Sequence, residues 1–282
     1  MPTSIHSPFT RFRAEPYSPN IGAIIHDLDL TKTQDETTRD QLRAALARFE
    51  VLFFRNQPID AAQHIEVAGI FGNPDGAKAY FPQSDANPLI EVIETKAGGP
   101  RYTTDQWHVD VSYLAAPPAG AVLHAQVLPE SGGDTLWSSG RRVYAALDPG
   151  LAARLEGLTA THSIERSAWP EIIRSQENGE ERFRQIRAER VPVSHPVIRS
   201  HPVTGEKLVF VNPKYVDRID GLSRKDSDNL LEHLFGQFER PEFQARLRWE
   251  KDTVAVWDNL STVHYAVADY LPAYRRMHRV TF

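Results

Sequence analysis

Cysteine is absent from this 282-residue chain. That excludes disulfides, Fe–S clusters, thiolate-bound zinc and thiol nucleophiles together. Any metal must therefore be held by nitrogen and oxygen, and the missing disulfides fit a reducing interior. Long apolar runs are lacking too: stretches such as Val51-Leu52-Phe53-Phe54 are far too short to span a membrane. The start, Met1-Pro2-Thr3-Ser4-Ile5-His6, shows no charged segment leading into an apolar one, so no signal peptide is read. Basic tracts are also missing, and a net charge of −5 argues against nucleic acid as a partner. The expectation is a cytoplasmic protein that handles a small molecule, with no nucleic acid or membrane partner. Its length suffices for one large domain or two small ones with a substantial core.

Few segments have helical periodicity. Asp35–Phe49 carries Leu42, Ala45, Leu46 and Phe49 at helical spacing, and Ala61–Phe71 reads as a second helix. Arg141–Leu158 is broken by Asp148-Pro149-Gly150 into two short pieces. Ser223–Arg240 has the strongest apolar stripe. Strand patterns are more numerous: Val51–Arg55, Leu89–Thr95, Trp107–Leu114, Gly120–Val127, Thr135–Ser138, Lys207–Asn212, Thr253–Trp257 and Arg275–Phe282. Short strands separated by Pro and Gly predict a mostly β sandwich or barrel with flanking helices rather than a parallel sheet. The polar segment from Trp169 to Pro202, with Glu177-Asn178-Gly179-Glu180, is read as a lid or an insertion within a single domain spanning 1–282.

The chemistry concentrates at Trp107-His108-Val109-Asp110, the one His-x-Asp in the chain. On a strand, residues two apart share a face, so an imidazole and a carboxylate converge. The same pattern also describes the solvated face of an ordinary strand. With His264, after the apolar run Thr253–Trp257, the pair makes a two-histidine, one-carboxylate set that leaves three positions of an octahedral ion open, as non-heme Fe(II) oxygenases require. His64-Ile65-Glu66 is discarded, because residues two apart on a helix diverge. His124, His162, His195, His201, His233 and His278 are read as structural or exposed. On a strand from Arg275 to Phe282, Arg275 and Arg279 share a face, roughly 13 Å apart at the backbone. If that face is buried, each guanidinium needs an anion. If it is not, they pair with surface carboxylates.

Several separate motifs occur in order: Trp107-His108-Val109-Asp110, Pro117-Pro118-Ala119-Gly120, Gly132-Gly133-Asp134-Thr135-Leu136-Trp137, His201-Pro202, Phe210-Val211-Asn212, Trp257-Asp258-Asn259, His264 and the Arg275/Arg279 pair. Across most of the chain these resemble the TauD/TfdA family of Fe(II)- and 2-oxoglutarate-dependent dioxygenases. The resemblance implies a double-stranded β-helix (jelly-roll, cupin-like) core and a homo-oligomer, dimer or tetramer. It implies that His108, Asp110 and His264 bind Fe(II) and form the catalytic centre. Thr135 and Arg275 would hold the far carboxylate of 2-oxoglutarate, with O2 as the oxidant and succinate and CO2 as products. Arg279 matches the position that grips the acidic group of a substrate, and Tyr80, Phe81, Val111, Trp169 and Tyr215 are candidate substrate contacts. The aromatic ones are equally read as core residues.

Departures from the taurine-cleaving pattern matter. Gly76-Ala77-Lys78-Ala79-Tyr80-Phe81-Pro82 lacks the histidine that helps hold the taurine amine, and a lysine facing the pocket would repel that amine. The expected substrate is therefore a small anion without an amine: a sulfonate, sulfate ester or carboxylate. Two alternatives remain at this point, a metal-dependent hydrolase and a catalytically silent binding protein on the same scaffold.

Overall fold

The computed structural model describes residues 9–75, 81–97, 99 and 103–282. Eight strands form one sheet in the order Arg13–Pro16, Ala23–His26, Val51–Phe54, Val254–Asp258, Gly120–Val127, Arg275–Thr281, Asn87–Thr95 and Gln83–Ser84. Its neighbours are antiparallel except Ala23–His26 with Val51–Phe54, which run parallel. A three-stranded antiparallel sheet of Gln244–Leu247, Thr135–Ser139 and Thr262–Ala266 lies across from it.

Alternation along the central strands decides what each face does. Ala255 and Trp257 point inward with Phe53, Leu123 and Met277, and meet Trp137 and Leu247 of the smaller sheet. Val254 and Val256 point outward with Leu52, Phe54, Val122 and Val280, toward the helices Glu36–Phe49 and Ala61–Phe71. This is the period-2 pattern of a sheet covered on both faces. The two helices start where their caps say they should. The Asp35 side chain accepts from Thr38 N at 2.8 Å, and Asp60 and Gln63 form a reciprocal capping box.

The helices read from the sequence are present, the interrupted one as Gly140–Ala146 and Pro149–Leu155. Trp107–Leu114 is a correction. It makes a single bridge, His108 to His264, and then turns, with Val111 at φ 44°. The apolar alternation of Val109, Val111 and Tyr113 suggested a strand. Val109 packs into a different cluster from the other two, and Asn259 occupies the backbone groups of Asp110. Thr262–Ala266, the strand that carries His264, went unread because it is five residues long with little apolar contrast. The segment 169–202 folds as helices Trp169–Arg174 and Gly179–Glu189 followed by strands Val193–Pro196 and Ile198–Ser200.

Candidate metal centre

His108 and His264 are placed by each other's backbones. Each N–H donates to the other's carbonyl, at 2.9 and 2.8 Å, which sets the two rings 4.1 Å apart between centroids. Asp110 is placed by Asn259, whose Oδ1 accepts from Asp110 N at 2.8 Å while its Nδ2 donates to Asp110 O at 3.1 Å and Pro118 O at 3.0 Å. Asp258, on the strand ahead of His264, accepts from Leu260 N and Ser261 N and pairs with His201 at 2.7 Å, which fixes the turn into the His264 strand.

The result is a compact buried set. Ligand atoms of His108, Asp110 and His264 lie within 4.8 Å of one another, and Asp110 Oδ1 is 3.9 Å from His108 Nε2 and 3.7 Å from His264 Nε2. Burial lowers the pKa of His108 well below the usual histidine value, and His264 is lowered to about 4, chiefly by burial against the opposing charge of Asp110. Both rings are thus neutral near pH 7. His108 Nδ1 lies 2.7 Å from the Gln106 carbonyl, which can only accept, so the lone pair sits on Nε2, facing the other donors. Asp110 Oδ2 is buried with no hydrogen-bond partner. An orphaned carboxylate oxygen beside two neutral imidazoles fits a divalent cation and a nitrogen–oxygen donor set.

One cavity adjoins this set, lined among others by His108, His264, Thr135, Trp257, Arg275 and Arg279. Arg275 is buried, and its Nε and Nη2 have no hydrogen-bond partner. Burial lowers its pKa. Gly133, at φ +74°, lets the chain pass close to it, since a Cβ there would meet Arg275 Cδ and Nε at 3.3 Å. Thr135 Oγ1 accepts from Trp249 Nε1 at 2.9 Å, so its own proton stays available. Arginine and threonine at one end of a cavity and metal donors at the other suit a dicarboxylate that chelates the ion.

Arg279 is placed differently from Arg275. Its Nη1 donates to Asp110 Oδ1 at 2.8 Å, and its Nε and Nη2 reach Glu91 Oε2 at 2.7 and 2.5 Å. Burial alone would lower its pKa, but the charges of Asp110 and Glu91 outweigh that and raise it. Glu91 went unread in the sequence, although it stands directly opposite Arg279 in the strand register. Lys214 also went unread. It is 3% exposed, donates to Thr103 O at 3.2 Å, and is lowered by burial to about 8, so it stays largely cationic at neutral pH. Of the proposed substrate contacts, Phe81, Val111, Trp169 and Tyr215 share one apolar cluster. Tyr80 lies outside the described residues, as do Gly76 to Ala79.

Residues 13–281 match the family model described as "Taurine catabolism dioxygenase TauD, TfdA family". The chain belongs to the TauD/TfdA family. It is 35% identical to an alpha-ketoglutarate-dependent sulfate ester dioxygenase of Pseudomonas putida, over 94% of this chain and 87% of that protein. It is 31% identical to an alkylsulfatase of Acinetobacter baylyi, over 100% of this chain and 88% of that one. A crystal structure of a taurine dioxygenase from Burkholderia xenovorans superposes with a TM-score of 0.82 at 32% identity, covering 96% and 89% of the two chains. The fold is therefore the family's double-stranded β-helix, with the two facing sheets as its halves. The chain is a non-heme dioxygenase that uses Fe(II) and 2-oxoglutarate, and His108, Asp110 and His264 form a donor set that could hold the ion.

Proposed function

We propose that this TauD/TfdA dioxygenase hydroxylates a C–H bond of a small organic anion: a sulfonate, a sulfate ester or a carboxylate. When bound, Fe(II) with 2-oxoglutarate and O2 supplies the oxidation, one oxygen atom entering the succinate formed with CO2 and the other the substrate C–H bond. Hydroxylation of the carbon beside sulfur or oxygen gives an adduct that collapses to an aldehyde. A sulfonate then leaves as sulfite and a sulfate ester as sulfate.

The protein's part is positional and electrostatic. His108, Asp110 and His264 offer neutral nitrogens and a carboxylate to one ion, and Thr135 and Arg275 offer the far end of the cavity to a carboxylate. The observation that carries the reading is the pairing of that open donor set with a buried guanidinium whose Nε and Nη2 have no hydrogen-bond partner, in one cavity. A hydrolase would leave Arg275 without an anion, at a cost of several kcal/mol.

Buried cations support the anionic substrate: Arg275 and Arg279 line the cavity beside His108 and His264, and Lys214 is buried against Tyr215. Phe81, Trp169 and Tyr215 then supply an apolar wall for its organic part. The segment 169–202 serves as a lid in this reading, since Trp169 packs edge-on against Phe81 with ring centroids 5.0 Å apart. The dimer or tetramer implied by the family resemblance is part of the same proposal and is read by light scattering.

The test is oxygen-dependent conversion of 2-oxoglutarate to succinate in the presence of hexyl sulfate, hexanesulfonate, hexanoate, taurine or hexan-1-ol. The reading expects stimulation by at least one of the three amine-free anions and little by taurine or the alcohol. Stimulation by the alcohol alone would contradict it.

A further inference from the structure

We propose that Tyr270 is a positioning residue for the cosubstrate, holding the guanidinium of Arg275 aimed into the cavity that also contains the metal donors. This deepens the reading above and rests on it. Arg275 poses an electrostatic problem. It is buried, and its Nε and Nη2 have no hydrogen-bond partner. A buried guanidinium that waits for an anion has to be held in place without a permanent ion pair, because such a pair would compete with the ligand. Asp134 is the carboxylate whose charge reaches Arg275, and it is engaged by Arg246 Nε at 2.7 Å.

Tyr270 supplies a neutral partner. Its ring centre lies 5.8 Å from Arg275 Cζ, within the range of a cation–π contact, which holds a cation without neutralising it. Its hydroxyl donates to Thr95 Oγ1 at 2.9 Å and keeps its lone pairs free to accept from an N–H. Thr95 stands directly opposite Arg275 in the strand register, so ring and guanidinium are anchored to the same rung of the sheet. Burial lowers the pKa of Arg275, and Tyr270 is the first group that opposes it. Arg275 lines the cavity and Tyr270 does not. The ring therefore acts through the guanidinium rather than by touching the ligand.

Two adjacent glycines let the loop that carries Tyr270 come this close. A Cβ on Gly133 would meet Tyr270 Cδ1 at 3.2 Å and Arg275 Cδ and Nε at 3.3 Å, so bare backbone packs against ring and guanidinium together. A Cβ on Gly132 would meet Asp269 Oδ1 at 2.5 Å, and in its absence that oxygen accepts from Gly133 N at 2.8 Å. Asp269 thereby ties the Tyr270 loop to the segment leading into Thr135, which lines the same cavity as Arg275. Val267 N donates to Asp134 O at 2.9 Å and makes a second tie between the same two segments. Tyr270, Arg275 and Thr135 are in this way held as one unit at the end of the cavity.

The experiment compares wild type, Tyr270→Leu, Tyr270→Phe and Asp269→Ala as anaerobic Fe(II) proteins. Each is titrated with 2-oxoglutarate and with 2-oxopentanoate, which has the same chain length but a methyl group in place of the far carboxylate. The visible charge-transfer band of the chelate reads both affinities, and Mn(II) affinity and the thermal midpoint are recorded alongside. Tyr270→Leu is expected to weaken 2-oxoglutarate by roughly 3- to 30-fold, the worth of a partly desolvated cation–π contact. Its affinities for 2-oxopentanoate and Mn(II) stay at the wild-type values, since only the far carboxylate meets Arg275. Tyr270→Phe keeps the ring and falls between wild type and Tyr270→Leu. Asp269→Ala, at an exposed position, shows the same selective loss by releasing the loop, and it decides the matter alone if Tyr270→Leu does not fold. Equal 2-oxoglutarate affinity in wild type and Tyr270→Leu overturns the proposal. So does an equal loss for both oxo acids, which marks general damage rather than a misplaced guanidinium. If the wild-type band never forms with iron bound, the dioxygenase reading fails first and takes the proposal with it, so the two failures are distinguishable.

Discussion

Arg279 Nη1 donates to Asp110 Oδ1 at 2.8 Å, so the carboxylate of the candidate metal centre is held from behind by a buried guanidinium. Glu91 completes the row by holding the far side of the same arginine. The order Glu91, Arg279, Asp110 leaves Asp110 Oδ2 free of protein partners.

Glu91→Gln keeps the shape of that row but removes one charge. The arginine then leans on Asp110 alone and draws electron density from the metal ligand. Fe(II) or Mn(II) affinity is expected to fall by about 10- to 100-fold, as for other residues that orient metal ligands. Isothermal titration with Mn(II) reads it, and unchanged affinity would show that Glu91 does not act through Arg279.

Asn259→Ala removes three hydrogen bonds at a fully buried position and leaves the Asp110 amide and the Asp110 and Pro118 carbonyls unsatisfied. A loss of about 2–4 kcal/mol in unfolding free energy is expected, together with weaker metal binding. Urea denaturation without metal separates the first effect from the second. A variant as stable as wild type would mean the turn has another support.

Gly133→Ala forces a side chain into a left-handed backbone position and against Arg275 Cδ and Nε. The strain is expected to cost about 1–3 kcal/mol. The affinity for 2-oxoglutarate should fall while Fe(II) affinity holds, because the insult lies at the arginine end of the cavity. Arg275→Met should weaken 2-oxoglutarate more severely, about a hundredfold or more, since a charge-assisted contact is lost outright. Cosubstrate titrations at saturating Fe(II) check both.

Two buried histidines away from the donor set make stability depend on pH. His64, whose Nε2 lies 3.1 Å from the Val122 carbonyl, and His162, which contacts Ser112, are each lowered to about 3, chiefly by burial. Both are neutral in the folded protein and take up protons near pH 6.5 when unfolded. Unfolding therefore becomes easier as pH falls below about 6.5, by about 1.4 kcal/mol per pH unit for each histidine until the folded-state values are reached. Urea midpoints between pH 7.5 and 5 should drop more steeply in wild type than in His64→Gln. Parallel slopes would contradict the assignment for His64.

Much of this was legible in the sequence because local patterns were strong. The apolar stripe of Glu36–Phe49 and the alternation of Gly120–Val127 and Val254–Asp258 describe elements whose own residues determine them. His108 and Asp110 were found as residue types at short spacing, and His264 as the histidine that follows the apolar run Thr253–Trp257. The strand assigned to Trp107–Leu114 was mistaken, since the convergence of His108 and Asp110 comes from a bridge to His264 and the grip of Asn259. Glu91 and Lys214 stayed hidden for a related reason. Their significance lies in partners 188 positions away in one case and in the lack of an ionic partner in the other. Neither has a local signature, although an acidic residue inside the apolar run Leu89–Thr95 was a signal that went unused.

The central claim is that His108, Asp110 and His264 hold Fe(II) in a form that 2-oxoglutarate can chelate while Arg275 takes its far carboxylate. Anaerobic titration of the Fe(II) protein with 2-oxoglutarate, followed in the visible range, tests it most directly. A charge-transfer band that saturates in wild type, disappears in His108→Ala and needs far more cosubstrate in Arg275→Met is the predicted result. Absence of the band with iron demonstrably bound, or its persistence in His108→Ala, would contradict the account.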